Sequence, residues 1–337
     1  MEAKYITGNE VVVKAAIAAG ARMMFGYPIT PSTEITAEFA REAEKNSQLR
    51  FIQTEDEISA GFGVIGAVLG GKKAFTATGG PGNVLMQDAI SMAEAMRLPF
   101  VGIITQRGGP STGTVIYSQQ ELNLTCFGGN GEGLRIVYSA SNLQEVYDLT
   151  IEAFNSAWKY RFPAFLLTDG YLAKARAKIF LRQPSYLATT KHILGDAKKI
   201  VNIRNTYSNE EELAAVLEQH LTAYQAITPK VVRYQDYHCG GAETIIFAHG
   251  SAASACLSLC QKRKNVGLFR PITLRPFPSS QARSLAKRAK KIIVVESSAG
   301  QLAALVKQAL YGIKVIFLEY CRPAQGIFIE DLQRMVK

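Results

Sequence analysis

The sequence predicts an α/β protein in which helices cover parallel β-sheets. Short apolar segments of strand length alternate with helix-length segments over residues 8–168 and again over residues 244–319. This alternation favours parallel strands, because a crossover helix returns the chain to the same end of the sheet. The stretch between these regions is rich in Lys, Arg, Tyr and Thr. We therefore predict two α/β domains, residues 1–170 and 241–337, joined by a connecting segment at residues 171–240.

Elements of the first domain follow from apolar spacing, glycine stops and helix caps. Gly20 closes an alanine-rich helix, and Ser32 or Thr33 is the expected N-cap of the next helix. A capping box at Ser141-Asn-Leu-Gln144 opens a later helix. The other predicted elements are helix 8–20, strand 22–27, strand 50–53, helix 56–70, strand 73–78, helix 83–96, strand 99–105, a helix through 143–158 and strand 164–168.

The second domain repeats the alternation after a stretch of weak pattern. Within the connecting segment, residues 209–224 have a convincing helical pattern, and the rest is expected to be irregular and partly extended. The predicted elements of the second domain are strand 244–248, helix 252–263, strand 266–269, helix 279–289, strand 291–296, helix 300–310 and strand 313–319.

Composition places the chain among ordinary globular proteins. Of its 337 residues 47% are apolar and 20% charged, and no apolar run is long enough for a membrane helix. No secretory signal is evident in the first residues. The five cysteines are scattered without metal-ligand spacing, so we expect reduced thiols and no metal site on this chain. We expect a cytoplasmic protein that does not associate with membranes.

The positive charge is concentrated in the second half. Residues 1–170 contain 13 Lys and Arg against 17 Asp and Glu, whereas residues 171–337 contain 25 against 11. A basic half would suit nucleic acid, an anionic cofactor or an acidic protein partner, although a solvated basic surface explains the charge as well. The basic residues lack interleaved aromatic stacking positions and match no nucleic-acid-binding module, which argues against nucleic acid.

Two glycine-rich motifs need separate interpretations. Gly61-Phe-Gly-Val-Ile-Gly66 matches a dinucleotide fingerprint, but that fingerprint requires its first glycine directly after a strand, and here a helix precedes it. Gly61 and Gly63 are better explained by close helix packing. Thr78-Gly-Gly-Pro-Gly-Asn83 lies between a strand and a helix, where it suits either an anionic or polar ligand or a tight turn.

Charged residues at two predicted strand ends are candidate functional groups. Glu55, Asp56 and Glu57 follow strand 50–53, where carboxylates either stabilise a helix N-terminus or face a ligand cleft. Glu57 in such a cleft would act in hydrogen bonding or proton transfer. Arg107 follows strand 99–105, as a surface arginine or as a fork for a substrate carboxylate.

Several long motifs in register resemble the alpha subunits of thiamine-diphosphate-dependent 2-oxoacid:ferredoxin oxidoreductases, particularly the 2-oxoglutarate and branched-chain types. The resemblance covers nearly the whole chain and is weakest over residues 171–240. The motifs are Tyr27-Pro-Ile-Thr-Pro-Ser32, Gln53-Thr-Glu-Asp-Glu57, Thr76-Ala-Thr-Gly-Gly-Pro-Gly82, Arg107-Gly-Gly-Pro-Ser-Thr-Gly113, Gly267-Leu-Phe-Arg-Pro-Ile-Thr-Leu-Arg-Pro-Phe-Pro278 and Val294-Val-Glu-Ser-Ser-Ala-Gly-Gln301.

The resemblance implies a pyrimidine-type thiamine-diphosphate-binding first domain and a transketolase-C-terminal-like second domain. By that resemblance, Glu57 is the catalytic residue that hydrogen-bonds the pyrimidine ring of thiamine diphosphate. Pro28 and Thr30 then belong to the cofactor site, and Thr30 and Arg107 lie near the carboxylate of the 2-oxoacid. The activity implied is oxidative decarboxylation of a 2-oxoacid to an acyl-coenzyme A and carbon dioxide, with electrons passed to ferredoxin. A different thiamine-dependent reaction remains the alternative.

Half of such a site is missing from this chain. The Gly-Asp-Gly motif that holds magnesium and diphosphate is absent, and Thr168-Asp-Gly170 matches it only in part. No cysteine set could hold an iron–sulfur cluster. The resemblance therefore implies a beta subunit that brings the diphosphate half and a cluster. Complexes of this kind can also contain gamma and ferredoxin-like subunits.

One departure from the family pattern concerns the substrate. After Gly113 the 2-oxoglutarate-type relatives continue with an apolar residue and then Pro-Thr, whereas this chain has Val115 and Ile116 at those last two positions. Ile116 cannot hydrogen-bond a second carboxylate, whose desolvation would then be uncompensated. A branched-chain or other apolar 2-oxoacid thus becomes as good a candidate as 2-oxoglutarate, unless the loop difference has no effect on the substrate.

Overall fold

A computed structural model describes residues 2–190, 192–196 and 199–335 of the chain. The elements up to residue 181 are β1 (Glu2–Thr7), α1 (Gly8–Ala18), β2 (Met23–Gly26), α2 (Thr33–Lys45), β3 (Arg50–Gln53), α3 (Glu57–Leu69), β4 (Ala74–Thr78), α4 (Pro81–Leu85), α5 (Gln87–Ala95), β5 (Val101–Gln106), α6 (Leu122–Phe127), β6 (Ile136–Ser139), α7 (Leu143–Tyr160), β7 (Ala164–Asp169), α8 (Gly170–Lys174) and β8 (Arg176–Leu181).

The rest of the chain contains a further set of alternating elements. They are β9 (Gly195–Asp196), β10 (Lys199–Ile200), α9 (Glu210–Val231), β11 (Tyr234–Tyr237), a 3-10 turn at Cys239–Gly241, β12 (Thr244–Phe247), α10 (Gly250–Cys260), β13 (Val266–Pro271), β14 (Thr273–Arg275), α11 (Ser279–Ala286), β15 (Lys291–Glu296), α12 (Gln301–Ala309), β16 (Ile316–Cys321) and α13 (Ile329–Met335).

Two mainly parallel sheets organise the described residues. Seven of their strands form one sheet in the order β14-β6-β7-β5-β4-β2-β3, and five form another in the order β11-β13-β12-β15-β16. The edge strands β14 and β11 pair antiparallel with their neighbours, and the other neighbouring strands in both sheets pair parallel. The predicted α/β class with parallel sheets is confirmed.

The larger sheet brings four loops together at one edge. Strands β5, β4, β2 and β3 are neighbours in that order, and each runs in the same direction. Their carboxyl ends lead into residues 107–121, 79–80, 27–32 and 54–56 respectively. In open parallel sheets this edge is where ligands bind. The sequence motifs of the first domain thus converge at one place.

Glycines in α3 allow that helix to approach its neighbours closely. A Cβ on Gly61 would lie 2.6 Å from Cβ of Ala89 in α5. A Cβ on Gly63 would overlap the ring of Phe25 in β2. The prediction that these glycines serve helix packing is confirmed, and the dinucleotide interpretation stays excluded.

The connecting segment contains more regular structure than its composition predicts. β8 pairs antiparallel with β1, and β11 joins the smaller sheet beside β13. The predicted helix 209–224 is present, but α9 continues to Val231 through Pro229. Cross-strand partners distant in sequence stabilise these short strands, which local pattern could not reveal. Residues 191, 197 and 198 of this segment lie outside the described residues.

Two predicted helix caps differ in detail from the structure. Asn142, rather than Ser141, is the N-cap of α7, and its side chain accepts the N–H of Glu145 at 2.9 Å. The capping box at Ser141-Asn-Leu-Gln144 is therefore wrong by one residue, because Asn caps as well as Ser does. Ser32 is the N-cap of α2 by position, but its hydroxyl donates to the Ile29 carbonyl.

The two halves of the chain share a sheet and buried polar contacts. β14, from the second half, completes the larger sheet by pairing with β6. Arg270 of β13 donates through both terminal nitrogens to Glu145 of α7, at 2.6 and 2.7 Å. The division at residues 170 and 240 stays a prediction, and these contacts show that the second half is packed firmly against the first.

The cysteines do not form disulfides with one another. The thiols of Cys126, Cys239, Cys256, Cys260 and Cys321 are all free. Among the described residues, no helix combines the length and apolar composition needed to span a bilayer.

A buried lysine beside α1 gives the fold a specific pH dependence. Lys73 is 3% exposed, and its Nζ donates to the Ala19 carbonyl at 2.8 Å. Burial, with a smaller contribution from the nearby Arg22 cation, lowers the pKa of Lys73 to about 8. Between pH 8 and 10.5 the unfolded chain keeps a proton that the folded chain has lost, so this group makes the free energy of unfolding rise with pH.

We predict that Lys73→Met removes this rise. Between pH 7.5 and pH 10.5, the free energy of unfolding of the wild-type protein should rise by about 3 kcal/mol relative to that of Lys73→Met. Denaturant titration at both pH values measures it. Lys72→Met, at the exposed neighbouring position, is the matched control and should follow the wild type. An identical pH response in all three proteins would show that Lys73 is solvated in the folded state.

Candidate active site

The three acidic residues before and at the start of α3 occupy distinct environments. Asp56 is the N-cap, and its Oδ1 accepts the N–H of Ser59 at 2.7 Å. Glu55 is exposed and accepts the hydroxyl of Ser59 at 3.2 Å. Glu57 begins the helix and is only 4% exposed. Helix capping therefore accounts for Asp56, whereas the burial of Glu57 requires another explanation.

The Glu57 carboxyl lies against the start of α4. A Cβ added to Gly82 would overlap both Oε1 of Glu57 and Oγ1 of Thr78. Both oxygens are buried and have no hydrogen-bond partner. Burial raises the pKa of the Glu57 carboxyl and the Asp56 carboxylate adds to this, while the backbone N–H of Glu57 and the positive charge of Arg107 lower it. A buried carboxyl oxygen left without a donor is costly, so this atom is a candidate for ligand contact.

The glycine turn between β4 and α4 has a backbone that only glycine adopts easily. Gly80 has φ 60° and ψ −126°. A Cβ at Gly79 would overlap the Thr105 carbonyl oxygen, and one at Gly80 would lie 2.5 Å from Nε of Arg107. The Gly80 N–H donates to Glu121 at 2.8 Å. The turn interpretation is therefore supported, because this amide already has a partner within the chain.

Arg107 lies beside this turn and contacts the loop after β2. Its Nη1 donates to the Thr30 carbonyl at 2.7 Å, while its Nε is buried without a partner. The Arg107 guanidinium packs over Gly80 and lowers the pKa of Glu57 through its charge. The structure thus brings together Glu57, Thr30 and Arg107, which the sequence assigned to one site.

Three of the predicted site residues, Pro28, Thr30 and Ile116, are exposed. Pro28 and Thr30 lie on the surface of the loop after β2. Ile116 has a side chain 62% exposed, and its carbonyl oxygen lies against Gly170 at the start of α8. No described hydrogen bond joins Ile116 to Glu57 or Arg107. Its predicted contact with substrate stays a prediction.

Glu121 is a buried residue that the sequence analysis missed. Its Oε1 accepts the backbone N–H groups of Gly80 at 2.8 Å and Arg107 at 3.0 Å. Its Oε2 accepts the side-chain amide of Asn83 at 3.0 Å. Burial raises the pKa of this carboxyl, and the donated hydrogen bonds lower it. A glutamate inside a polar loop carries no pattern that would have revealed these distant donors.

His249 is buried where the two halves meet. Its Nδ1 is 3.0 Å from the Ser139 hydroxyl, and its Nε2 has no partner. Burial lowers the pKa of His249 to about 3, so the ring is neutral at physiological pH. The ring is fully buried between the two halves and does not face an open cleft.

Comparison with known families matches almost the whole chain. The thiamine-diphosphate-binding domain of pyruvate flavodoxin/ferredoxin oxidoreductases matches residues 14–237. The core domain II of pyruvate:ferredoxin oxidoreductases matches residues 242–330. The matches meet within a few residues of the predicted start of the second domain.

Curated relatives align over most of their own length. The 2-oxoglutarate synthase subunit KorA of Methanocaldococcus jannaschii is 34% identical over 362 aligned residues, covering 98% of this chain and 95% of that protein. The ketoisovalerate oxidoreductase subunit VorB of Methanothermobacter thermautotrophicus is also 34% identical, covering 92% of this chain and 90% of that protein. Both relatives are named as subunits of larger enzymes.

Two solved structures have the same fold as this chain. One is the 2-oxoglutarate:ferredoxin oxidoreductase of Magnetococcus marinus, which was solved with 2-oxoglutarate, coenzyme A and succinyl-CoA bound. Its TM-score is 0.87 at 25% sequence identity, and the match covers 99% of this chain and 64% of that chain. The other is a split-gene transketolase with a TM-score of 0.61 at 14% identity. The match covers 97% of this chain and 93% of that chain, and at this identity it shows a shared fold alone.

These matches agree with the geometry of the carboxyl edge, where a buried glutamate faces a glycine turn. The family of the first domain binds thiamine diphosphate. Relatives above 30% identity match nearly end to end. The resemblance drawn from the sequence motifs is confirmed, and the chain belongs to the pyruvate flavodoxin/ferredoxin oxidoreductase family, as an oxidoreductase subunit of the alpha type.

Proposed function

We propose that this chain holds the pyrimidine half of thiamine diphosphate in a coenzyme-A-dependent 2-oxoacid:ferredoxin oxidoreductase. The observation that carries the proposal is the buried Oε1 of Glu57, which has no partner within the chain. It lies beside Thr78 Oγ1, another buried oxygen without a partner, across from Gly82. A ring nitrogen with a hydrogen to share would satisfy this oxygen, so the residues present fit the cofactor.

Glu57 would control a proton at the cofactor ring. When bound, thiamine diphosphate supplies the carbon nucleophile and the electron sink that decarboxylation of a 2-oxoacid requires. The raised pKa of Glu57, caused by its burial, brings the carboxyl closer to sharing a proton with a weakly basic ring nitrogen. The rigid start of α3, capped by Asp56, fixes the direction of this carboxyl.

Arg107 and Thr30 would orient the carboxylate of the substrate. The guanidinium is held by the Thr30 carbonyl through Nη1, and its Nε has no partner. A planar cation of this kind suits a carboxylate. Pro28 and Thr30 lie on the exposed loop beside it, on the side from which a cofactor or substrate would approach.

A beta subunit would cover this cleft and complete the site. Apolar side chains with substantial exposure flank Glu57: Ile58 and Phe62 lie one turn apart on α3, and Val84 and Leu85 lie on α4. Exposed apolar groups clustered around a cleft are typical of a protein interface. The beta subunit would bring the diphosphate half with its magnesium ion and the iron–sulfur cluster, with gamma and ferredoxin-like subunits as further members.

We predict that Glu57→Gln lowers turnover of the purified complex at least about 100-fold while the fold is kept. Glutamine has the same shape but cannot hold or share the proton. Steady-state assays with a 2-oxoacid, coenzyme A and ferredoxin measure the loss, and circular dichroism checks the fold. Glu55→Gln is the matched control, since Glu55 is exposed, and should keep wild-type turnover. Retained activity in the Glu57 variant, with loss in the Glu55 variant, would refute the assignment.

We predict that Phe62→Asp separates the chain from its beta subunit. A carboxylate at this position would be desolvated in an interface, which weakens association by about 2 kcal/mol or more. Affinity purification from the native host measures the beta subunit, iron and thiamine diphosphate recovered with the tagged chain. Tyr311→Asp is the control, because Tyr311 is also an exposed aromatic but lies in the second half. Equal recovery of all three components from both variants would exclude this face.

We predict that the complex turns over an apolar 2-oxoacid at least as well as 2-oxoglutarate. Val115 and Ile116 present exposed apolar side chains and no donor to a second carboxylate. The kcat/KM values for 2-oxoisovalerate, pyruvate and 2-oxoglutarate test this, and Ile116→Thr should shift the ratio toward 2-oxoglutarate by about 10-fold. Leu318→Thr, at an exposed apolar position on β16 of the second half, is the control. A strong preference of the wild type for 2-oxoglutarate would contradict the role of Ile116.

A further inference from the structure

We infer that Glu121 is a positioning residue that holds the Gly80 turn and the Arg107 strand end in a fixed relation. This inference rests on the proposed function, in which Glu57 beside Gly82 contacts the cofactor and Arg107 faces the substrate. One carboxylate oxygen accepts the backbone N–H groups of both residues, at 2.8 and 3.0 Å. The other oxygen accepts the side chain of Asn83, in the helix that begins after the turn.

Burial makes these three hydrogen bonds interdependent. Glu121 is 5% exposed, and its donors belong to two loops separated in sequence by roughly one strand and two helices. Removing the carboxylate would leave two backbone N–H groups buried without a partner, at a cost of about 1–3 kcal/mol for each. The loops would have to move toward water or toward each other to recover that energy.

Movement of the Gly80 turn would disturb both the proposed cofactor contact of Glu57 and the proposed substrate contact of Arg107. Gly82, two residues after Gly80, is the residue against which the Glu57 carboxyl lies. The Arg107 side chain packs on Gly80 so closely that a Cβ there would be 2.5 Å from Nε. A change at Glu121 is therefore transmitted to the cofactor side through Gly82 and to the substrate side through Arg107.

The second half of the chain anchors the loop that carries Glu121. Gln301 donates to the Gln120 carbonyl at 2.7 Å and accepts the N–H of Asn123 at 2.9 Å. Gln119 accepts the N–H of Ser297 at 2.9 Å and donates to the His249 carbonyl. Contacts on both sides of residue 121 thus fix its backbone, which is what a positioning residue requires.

Amide hydrogen exchange of the purified complex tests this directly and needs no activity. In Glu121→Ala, segments 79–86 and 107–113 should both exchange at least about 10-fold faster than in the wild type. Glu121→Gln keeps an oxygen toward Gly80 and Arg107, so both segments should stay protected. Glu145→Ala is the control for loss of a carboxylate that binds Arg270 and Ser141, and both segments should keep wild-type exchange. Faster exchange in only one segment, or in neither, would overturn the inference.

Kinetics distinguish positioning from a general loss of stability. Glu121→Ala should raise KM for the 2-oxoacid and lower kcat, each by about 10-fold, and Glu121→Gln should stay within about 3-fold of the wild type. Glu145→Ala should lower the melting temperature and leave both constants unchanged. If Glu121→Gln is as impaired as Glu121→Ala, the negative charge matters rather than the geometry, and the inference fails.

Failure of the inference about Glu121 can be distinguished from failure of the proposed function, even when a variant does not fold or the complex shows no activity. If Glu121→Ala does not fold, the wild-type complex still decides, because amides released by one opening event should show the same urea dependence of exchange in both segments. Different dependences would overturn the inference. If the wild-type complex turns over no 2-oxoacid, the proposed function fails, while the exchange data still decide whether Glu121 couples the two loops.

Discussion

The site depends on one constraint, which is that parallel strands end at the same edge of their sheet. Strands β5, β4, β2 and β3 lie side by side, so the order of the strands is sufficient to bring together four loops that are distant in sequence. Close packing of α3 then fixes where Glu57 points, since Gly61 leaves no room for a side chain against α5. Because the sheet is rigid, side chains carried at its edge keep their relative positions, which a hydrogen-bonding ligand site requires.

The two buried glutamates at this edge, Glu121 and Glu57, differ in how many hydrogen bonds their carboxyl oxygens accept from the chain. Glu121 receives three hydrogen bonds from the chain, which offset the cost of its burial. Glu57 is buried as deeply, yet its Oε1 receives none. A folded chain rarely leaves such an oxygen without a partner, and the cost is tolerated where a ligand supplies the missing donor. Arg107 is comparable, because its Nε is also buried without a hydrogen-bond partner and is therefore a candidate for ligand contact.

Local sequence signals predicted the strands that are continuous, apolar and flanked by helices, and they placed Glu57 and Arg107 at strand ends. They failed where the stabilising partner is distant. β1 and β8 are strands because they pair with each other, and β14 is a strand because it pairs with β6. Glu121 was missed for the same reason, because its donors lie up to 41 residues away in sequence. The substrate-binding role of Ile116 came from comparison with a family pattern. It stays a prediction, and the Ile116 side chain is exposed in the structure.

The second half acts on the site without contributing a side chain to the Glu57 cleft among the described contacts. Through Gln301 and Ser297 it holds the loop that begins at Arg107 and ends at Glu121. Through β14, which pairs with β6, the second half shares the larger sheet with the first half, so the loop is attached to a rigid body rather than to a mobile arm. The loop that carries Ile116 is therefore fixed at one end by the larger sheet and at the other by the second half. A loop fixed at both ends can change its middle residues without moving Arg107 or Glu121, and in the proposed function this would separate substrate choice from the chemistry at Glu57.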